Sequence, residues 1–82
     1  MKIIFSDHAR AQIGERNIAE DLLLHTVTNP DKVVKQSRSR FAAQRLIEKN
    51  GKKYLLIIVC DEIGDICEIV TAFFTTKFKK YL

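Results

Sequence analysis

Asn50-Gly51 is the pair that most restricts what this chain can fold into. It separates FAAQRLIEK (Phe41 to Lys49) from KKYLLIIVC (Lys52 to Cys60), two strand-forming runs. Asparagine and glycine are the residues that best tolerate positive φ at both centres of a type I′ turn, whose twist matches that of antiparallel strands. A two-residue loop leaves one register, with Lys49 opposite Lys52, Ile47 opposite Tyr54 and Arg45 opposite Leu56. The middle of the second run, LLIIVC, is apolar at every position. That predicts an interior strand covered on both faces.

The other elements follow from local signals. Lys2 to Phe5 is a short β-type run, and Ser6-Asp7 offers an N-cap for a helix over Asp7 to Arg16. Asn17 suits a left-handed C′ position, with Ile18 supplying the apolar contact that accompanies it. A second helix is predicted from Ala19 to Thr28, lined by Leu22, Leu23 and Val27 and ended by Asn29-Pro30. Val33-Val34 reads as a brief strand, followed by a basic loop, Ser37-Arg38-Ser39-Arg40. After Cys60, a turn over Glu62 to Asp65 leads to a last strand, Ile66 to Thr75. The order β-α-α-β-β-β, with the brief strand as an extra β, is an α+β class. The expected architecture is a two-helix layer on a curved antiparallel sheet, forming a single domain over residues 1–82.

Closing the second hairpin with an even loop sets Cys60 opposite Cys67, Leu56 opposite Thr71 and Tyr54 opposite Phe73. Alternation then gives one face Leu46, Leu55, Ile57, Val59, Val70, Ala72 and Phe74, which is expected to lie under the helices. The opposite face gathers Arg45, Lys49, Lys52, Tyr54, Phe73 and Thr75. Cations mixed with aromatic rings are what hold phosphates and stack bases. Lys49, Lys52, Tyr54, Phe73 and Thr75 are therefore the expected RNA contacts. The plainer alternative is a half-exposed sheet face with lysines at its rim.

Charge supports the first reading. Residues 32–60 carry eight basic side chains and one acidic, while residues 1–31 carry three and five, and residues 61–82 carry three and four. A concentrated basic block attracts polyanions better than scattered charge. The longest apolar run, Tyr54 to Cys60, is far short of the ~20 residues that span a bilayer. The start, MKIIFSDHAR, lacks the apolar stretch of a signal peptide, so a cytoplasmic protein is expected. Cys60 and Cys67 have no metal-ligand companions, and two buried thiols are favoured over a disulfide. No cofactor and no metal are implied.

Metal-free RNA cleavage needs a base for the 2′-hydroxyl, an acid for the leaving oxygen and cations for the phosphorane. Arg45, Lys77, Lys80 and Tyr81 are candidates for the last two roles. His8, in a first helical turn that favours its neutral form, is the candidate base; a structural hydrogen bond is its alternative role. Arg16 is expected to pair with an acid of the sheet or tail. The apolar terminal Leu82 suggests that TTKFKKYL docks as the rim of a phosphate-binding surface.

Three strings carry a family resemblance. FSDHARAQIGERNI resembles a signature of strand, His-Ala and an arginine eight residues on; NPDKVV resembles a helix-ending step; VTAFFTTKFKKYL resembles a closing strand and its tail. The family they resemble is a small bacterial and archaeal domain of unknown function grouped with the RelE/ParE and BrnT-like toxin superfamily. The resemblance implies a RelE-like microbial RNase fold and the toxin of a type II toxin–antitoxin system. It further implies an mRNA endoribonuclease, acting on the ribosome in some relatives, with a cognate antitoxin as partner. ParE-like relatives inhibit gyrase instead, so a non-catalytic binding protein is the alternative. The matched positions are His8, Arg16, Asn29, Pro30, Thr75, Lys77, Lys80, Tyr81 and Leu82. Asn17, Ala19 and Thr76 depart from the pattern without removing a candidate catalytic group.

Overall fold

In the computed structural model, which describes residues 2–81, the chain is an α+β domain built on a five-stranded mixed sheet. In chain order the elements are β1 (Lys2–Phe5), α1 (Asp7–Glu15), α2 (Glu20–Thr28) and β2 (Lys32–Lys35). They continue with β3 (Arg40–Lys49), β4 (Lys52–Ile63), β5 (Ile66–Thr75) and a short α3 (Phe78–Tyr81). The strands lie in the order β1-β5-β4-β3-β2. The sheet is not purely antiparallel, because β1 pairs in parallel with residues 66–69 of β5. Two helices between β1 and the rest of the sheet give the chain room to return in the same direction. Among the described residues no helix is long and apolar enough to cross a membrane.

The local signals before β2 act as their chemistry requires. Ser6 caps α1, its Oγ accepting from Ala9 N–H at 3.0 Å. Asn17 takes a φ of 55°, while Ile18 N–H donates to Ile13 O and Asn17 N–H to Gly14 O. That paired pattern closes the helix end and drops Ile18, 4% exposed, into the core. In the first hairpin Asn50 and Gly51 both have positive φ, and Lys49, Ile47 and Arg45 face Lys52, Tyr54 and Leu56.

The second hairpin closes with an even loop, as expected, but one residue further along the chain. Ile63 pairs with Ile66 around Gly64-Asp65, so Cys60 faces Ile69 and Cys67 faces Glu62. The register then shifts: Val59 faces Thr71, leaving Val70 as the extra residue of a β-bulge. Beyond it Leu56 faces Phe74 and Ile57 faces Phe73.

Along β4 the helices cover the face opposite to the expected one, whereas Ala72 and Phe74 of β5 do lie on the helix-bearing side, as expected. Leu56, Ile58, Cys60, Cys67, Ile69 and Ala72 pack with Ala9, Ile18, Leu23 and Val27 in the main core. The face expected beneath the helices instead forms a second cluster, Ala42, Leu55 and Ile57, with Val59, Phe73, Phe78 and Tyr81 against it. Both faces of β4 are apolar, so alternation in that strand does not choose between them; the neighbouring strands do. The TTKFKKYL segment, expected to form the rim of a phosphate-binding surface on the face of Tyr54, instead turns through α3 so that Phe78 and Tyr81 pack on this second face; Leu82 lies outside the described residues.

β5 borders β1 only over residues 66–69, and α1 takes over from there. Ser6 N–H donates to Ile69 O at 3.0 Å and its hydroxyl to Val70 O at 3.3 Å. Gln12 Oε1 accepts from Thr71 Oγ1 and, at 3.4 Å, from Ala72 N–H. Arg16 Nη1 donates to Ala72 O at 2.6 Å, so its partner is backbone rather than the acid expected. The thiols of Cys60 and Cys67 are free and fully buried, and burial pushes both above the ordinary cysteine range.

Two outcomes follow. Ser6→Ala removes a helix cap and leaves a bulge carbonyl unpaired, so urea unfolding should show a loss of about 1–2 kcal/mol, with Ser6→Thr largely restoring it. The raised thiols bind protons in the folded state that the unfolded chain releases above about pH 8.5. Stability is therefore fully present below that pH and should fall as pH rises beyond it, and Cys60→Ala/Cys67→Ala should flatten this limb in urea titrations across pH 7–10.

Candidate nucleic-acid interface

At the Asn50-Gly51 end of the helix-bearing face, three cross-strand rows end the sheet. Arg45, Leu56 and Phe74 form one row, Ile47 and Tyr54 the next, and Lys49 and Lys52 the last. Tyr54 lies outside the helix-packed core cluster and Phe74 only borders it, so both rings remain partly accessible. They meet edge-to-face, with centroids 6.1 Å apart and planes at 64°. Lys49 Nζ stands 5.5 Å from the Phe74 centroid and Lys52 Nζ 5.6 Å from that of Tyr54. Lys49, Asn50, Tyr54 and Phe74 line a cleft of about 200 Å³ between them.

Two lysines directly opposite each other on one face repel. Each ammonium partly offsets this by lying over a ring, an attraction of about 0.5–1 kcal/mol at an exposed site. Neither has an acidic partner among the described residues, where the only ion pair is Arg40–Asp61. The arrangement can therefore stack a flat group on Tyr54 or Phe74 while two cations hold an anion beside it.

Of the expected RNA contacts, Lys49, Lys52 and Tyr54 come together here, with Arg45 in the adjacent row. Phe73 and Thr75 do not: the bulge turns them to the opposite face, where Phe73 packs edge-to-face on Tyr81 at 5.9 Å. Thr75 Oγ1 accepts from Lys77 N–H at 3.1 Å, holding the turn into α3. Lys80 Nζ lies 5.4 Å from the Tyr81 ring. His8 is exposed in the first turn of α1 and makes no side-chain hydrogen bond among the described residues. The catalytic candidates thus divide into three places: His8 on α1, Arg45 on β3, and Lys77, Lys80 and Tyr81 at the chain end.

Sequence reasoning missed Phe74, which the even register assigned to the covered face. The signal was present in β5. Its core-facing residues run Cys67, Ile69, Ala72, Phe74, and the change from odd to even positions marks an extra residue.

A family model described as a domain of unknown function, DUF4258, matches residues 5–76. The chain belongs to the DUF4258 family. No curated protein and no solved structure matches it. The DUF4258 match contains the whole Tyr54–Phe74 platform and both lysines, and stops before α3.

The paired lysines give this DUF4258 domain a measurable signature. Lys52→Glu replaces a like-charge pair by an opposite one and should raise the urea midpoint by the equivalent of about 0.5 kcal/mol. A lowered midpoint would mean that the ring faces alone already satisfy both ammonium groups.

Proposed function

We propose that this protein binds single-stranded RNA through the Tyr54–Phe74 platform, and that it does so as the toxin of a type II toxin–antitoxin pair. The observation that carries the binding reading is the two accessible rings, each under an unpaired lysine, at one end of the sheet. A base has a π-face whatever its sequence, and stacking on an aromatic side chain contributes about 1–3 kcal/mol per base. Lys49, Lys52 and Arg45 supply the cations that a phosphate backbone running past those bases requires. The toxin reading rests on the resemblance of the FSDHARAQIGERNI, NPDKVV and VTAFFTTKFKKYL strings to the RelE/ParE and BrnT-like superfamily.

Binding is favoured over cleavage by the separation of the catalytic candidates. Phosphodiester cleavage needs base, acid and cations around one phosphate. Arg45 shares the helix-bearing face with Leu56, whereas Tyr81 packs on the opposite face of the sheet and His8 is exposed on α1. In this proposal, toxicity would arise from blocking the bound RNA, without a chemical step.

Fluorescence anisotropy with a labelled single-stranded RNA tests the platform. Tyr54→Ala should weaken binding about tenfold. Lys49→Ala/Lys52→Ala should reduce the salt slope by roughly 1.4. Unchanged affinity and slope in both variants would remove the platform from the function. Expression of the wild-type chain should arrest growth and Tyr54→Ala should relieve the arrest, with RNA recovered intact. RNA fragments that disappear in Tyr81→Phe or Arg45→Ala would replace the binding reading by endoribonuclease activity.

A further inference from the structure

The opposite end of β3 and β4 carries a second cavity, of about 270 Å³, between the β2–β3 loop and the end of β4. Its loop is pinned by its own backbone. Gln36 and Ser37 N–H both donate to Arg40 O, Ser37 Oγ accepts from Arg40 N–H, and Glu62 N–H donates to Ser39 O at 2.7 Å. The Arg40 guanidinium is committed to Asp61 through two hydrogen bonds, of 2.7 and 2.9 Å. Lys35 and Arg38, which also line the cavity, have no acidic partner among the described residues. The apolar part of the wall is Val33, 53% exposed on a four-residue edge strand, and the half-buried ring of Phe41. The exposed side chain of Glu62, whose N–H is held by Ser39 O, also lines the cavity and brings a carboxylate to it.

These walls define a ligand by exclusion. A bare anion suits Lys35 and Arg38 but is repelled by Glu62, and a purely apolar group leaves all three charges unused. The complement is a molecule with an anionic end, a flat apolar middle and N–H donors at the far end. A carboxylate accepts only, so it favours the base edge that presents adjacent donors. Among the four RNA bases the Watson–Crick edge of guanine does so, through N1–H and N2–H; uracil, adenine and cytosine each place an acceptor beside their donor. The volume is near the lower end of ligand cavities, about 300 Å³, and admits one nucleotide rather than a strand.

We propose that this cavity binds a single guanosine monophosphate unit, with phosphate on Lys35 and Arg38, the base against Phe41 and Val33, and its N–H edge on Glu62. The site lies four to six residues along β3 from the rows of Phe74 and Tyr54, roughly 14–20 Å at ~3.4 Å each, and does not depend on the RNA reading of that platform. The nucleotide is either free or part of a single-stranded chain.

Amide chemical-shift titration of the whole chain with GMP, AMP, CMP and UMP decides the matter. GMP should shift residues 33–41 and Glu62 and bind about tenfold more tightly than UMP. Lys35→Ala/Arg38→Ala should weaken GMP about tenfold, and Glu62→Gln should reduce its advantage over AMP. These side chains are on the surface, so the variants should keep the wild-type spectrum elsewhere. A UUGUU oligonucleotide separates the sources. Shifts at the same residues assign the site to RNA; shifts with GMP alone assign it to the free nucleotide. No shift with GMP, shifts confined to Tyr54 and Phe74, or equal affinity for all four nucleotides would overturn the proposal. Lys49→Ala/Lys52→Ala should leave GMP binding intact, so a failure at one end is distinguishable from a failure at the other.

Discussion

Ser6 joins three parts of this fold that would otherwise be independent. Its N–H and hydroxyl reach the carbonyls of Ile69 and Val70, and the same oxygen caps α1. A sheet edge left bare offers unpaired backbone groups to any passing strand. β1 covers only the first four residues of β5, so the remainder needs another partner. Gln12 and Arg16 provide one by bonding the backbone of Ala72 from a helix. With α1 held against that edge, Ala9 and Ile13 fall onto the core, and the left-handed Asn17 directs Ile18 after them.

The bulge at this junction sorts the aromatic residues of β5 between two faces. Upstream of Val70, Cys67 and Ile69 face the helices; downstream, Ala72 and Phe74 do. A strand without the extra residue would put Phe73 opposite Leu56 and send Phe74 to the other side. The inserted residue therefore builds two things at once. It brings Phe74 to Tyr54, and it leaves Phe73 to pack with Tyr81 under α3. The interface and the second apolar cluster share one structural origin.

This explains what could be read from the sequence and what could not. Asn50-Gly51 acts through its own two residues, so the first register and the grouping of Arg45, Lys49, Lys52 and Tyr54 were legible. Ser6, Asn17, Ile18 and Pro30 are equally local, and both helix boundaries followed from them. The bulge is not local: the carbonyl of the extra residue, Val70, accepts from the hydroxyl of Ser6, sixty-four residues away. The choice of helix-bearing face was hidden for a related reason. Leu55, Leu56, Ile57 and Ile58 are all buried, so β4 looks the same from either side. α3 was hidden because four residues carry too weak a helical signal on their own; it is their packing on Leu55, Ile57 and Phe73 that holds them.

Burial on both faces also dictates where charge can go. The buried centre of β4, Leu55 to Ile58, carries no cation, so the basic block of residues 32–60 gathers mainly towards the two ends of the hairpin. Lys35, Arg38 and Arg40 stand at one end, Arg45, Lys49, Lys52 and Lys53 towards the other, and Lys32 lies on the edge strand β2 opposite Gln44. Asp61 neutralises only Arg40, and the hydrogen bonds between them hold the carboxyl below its usual range. Along β3 the row of Lys35 is about 14 Å from Arg45 and about 27 Å from Lys49, against a Debye length of ~8 Å at physiological salt. Each end therefore acts as an independent field on a small anion. Only a chain long enough to span the hairpin experiences both, and for such a ligand attachment at one end raises the effective concentration at the other.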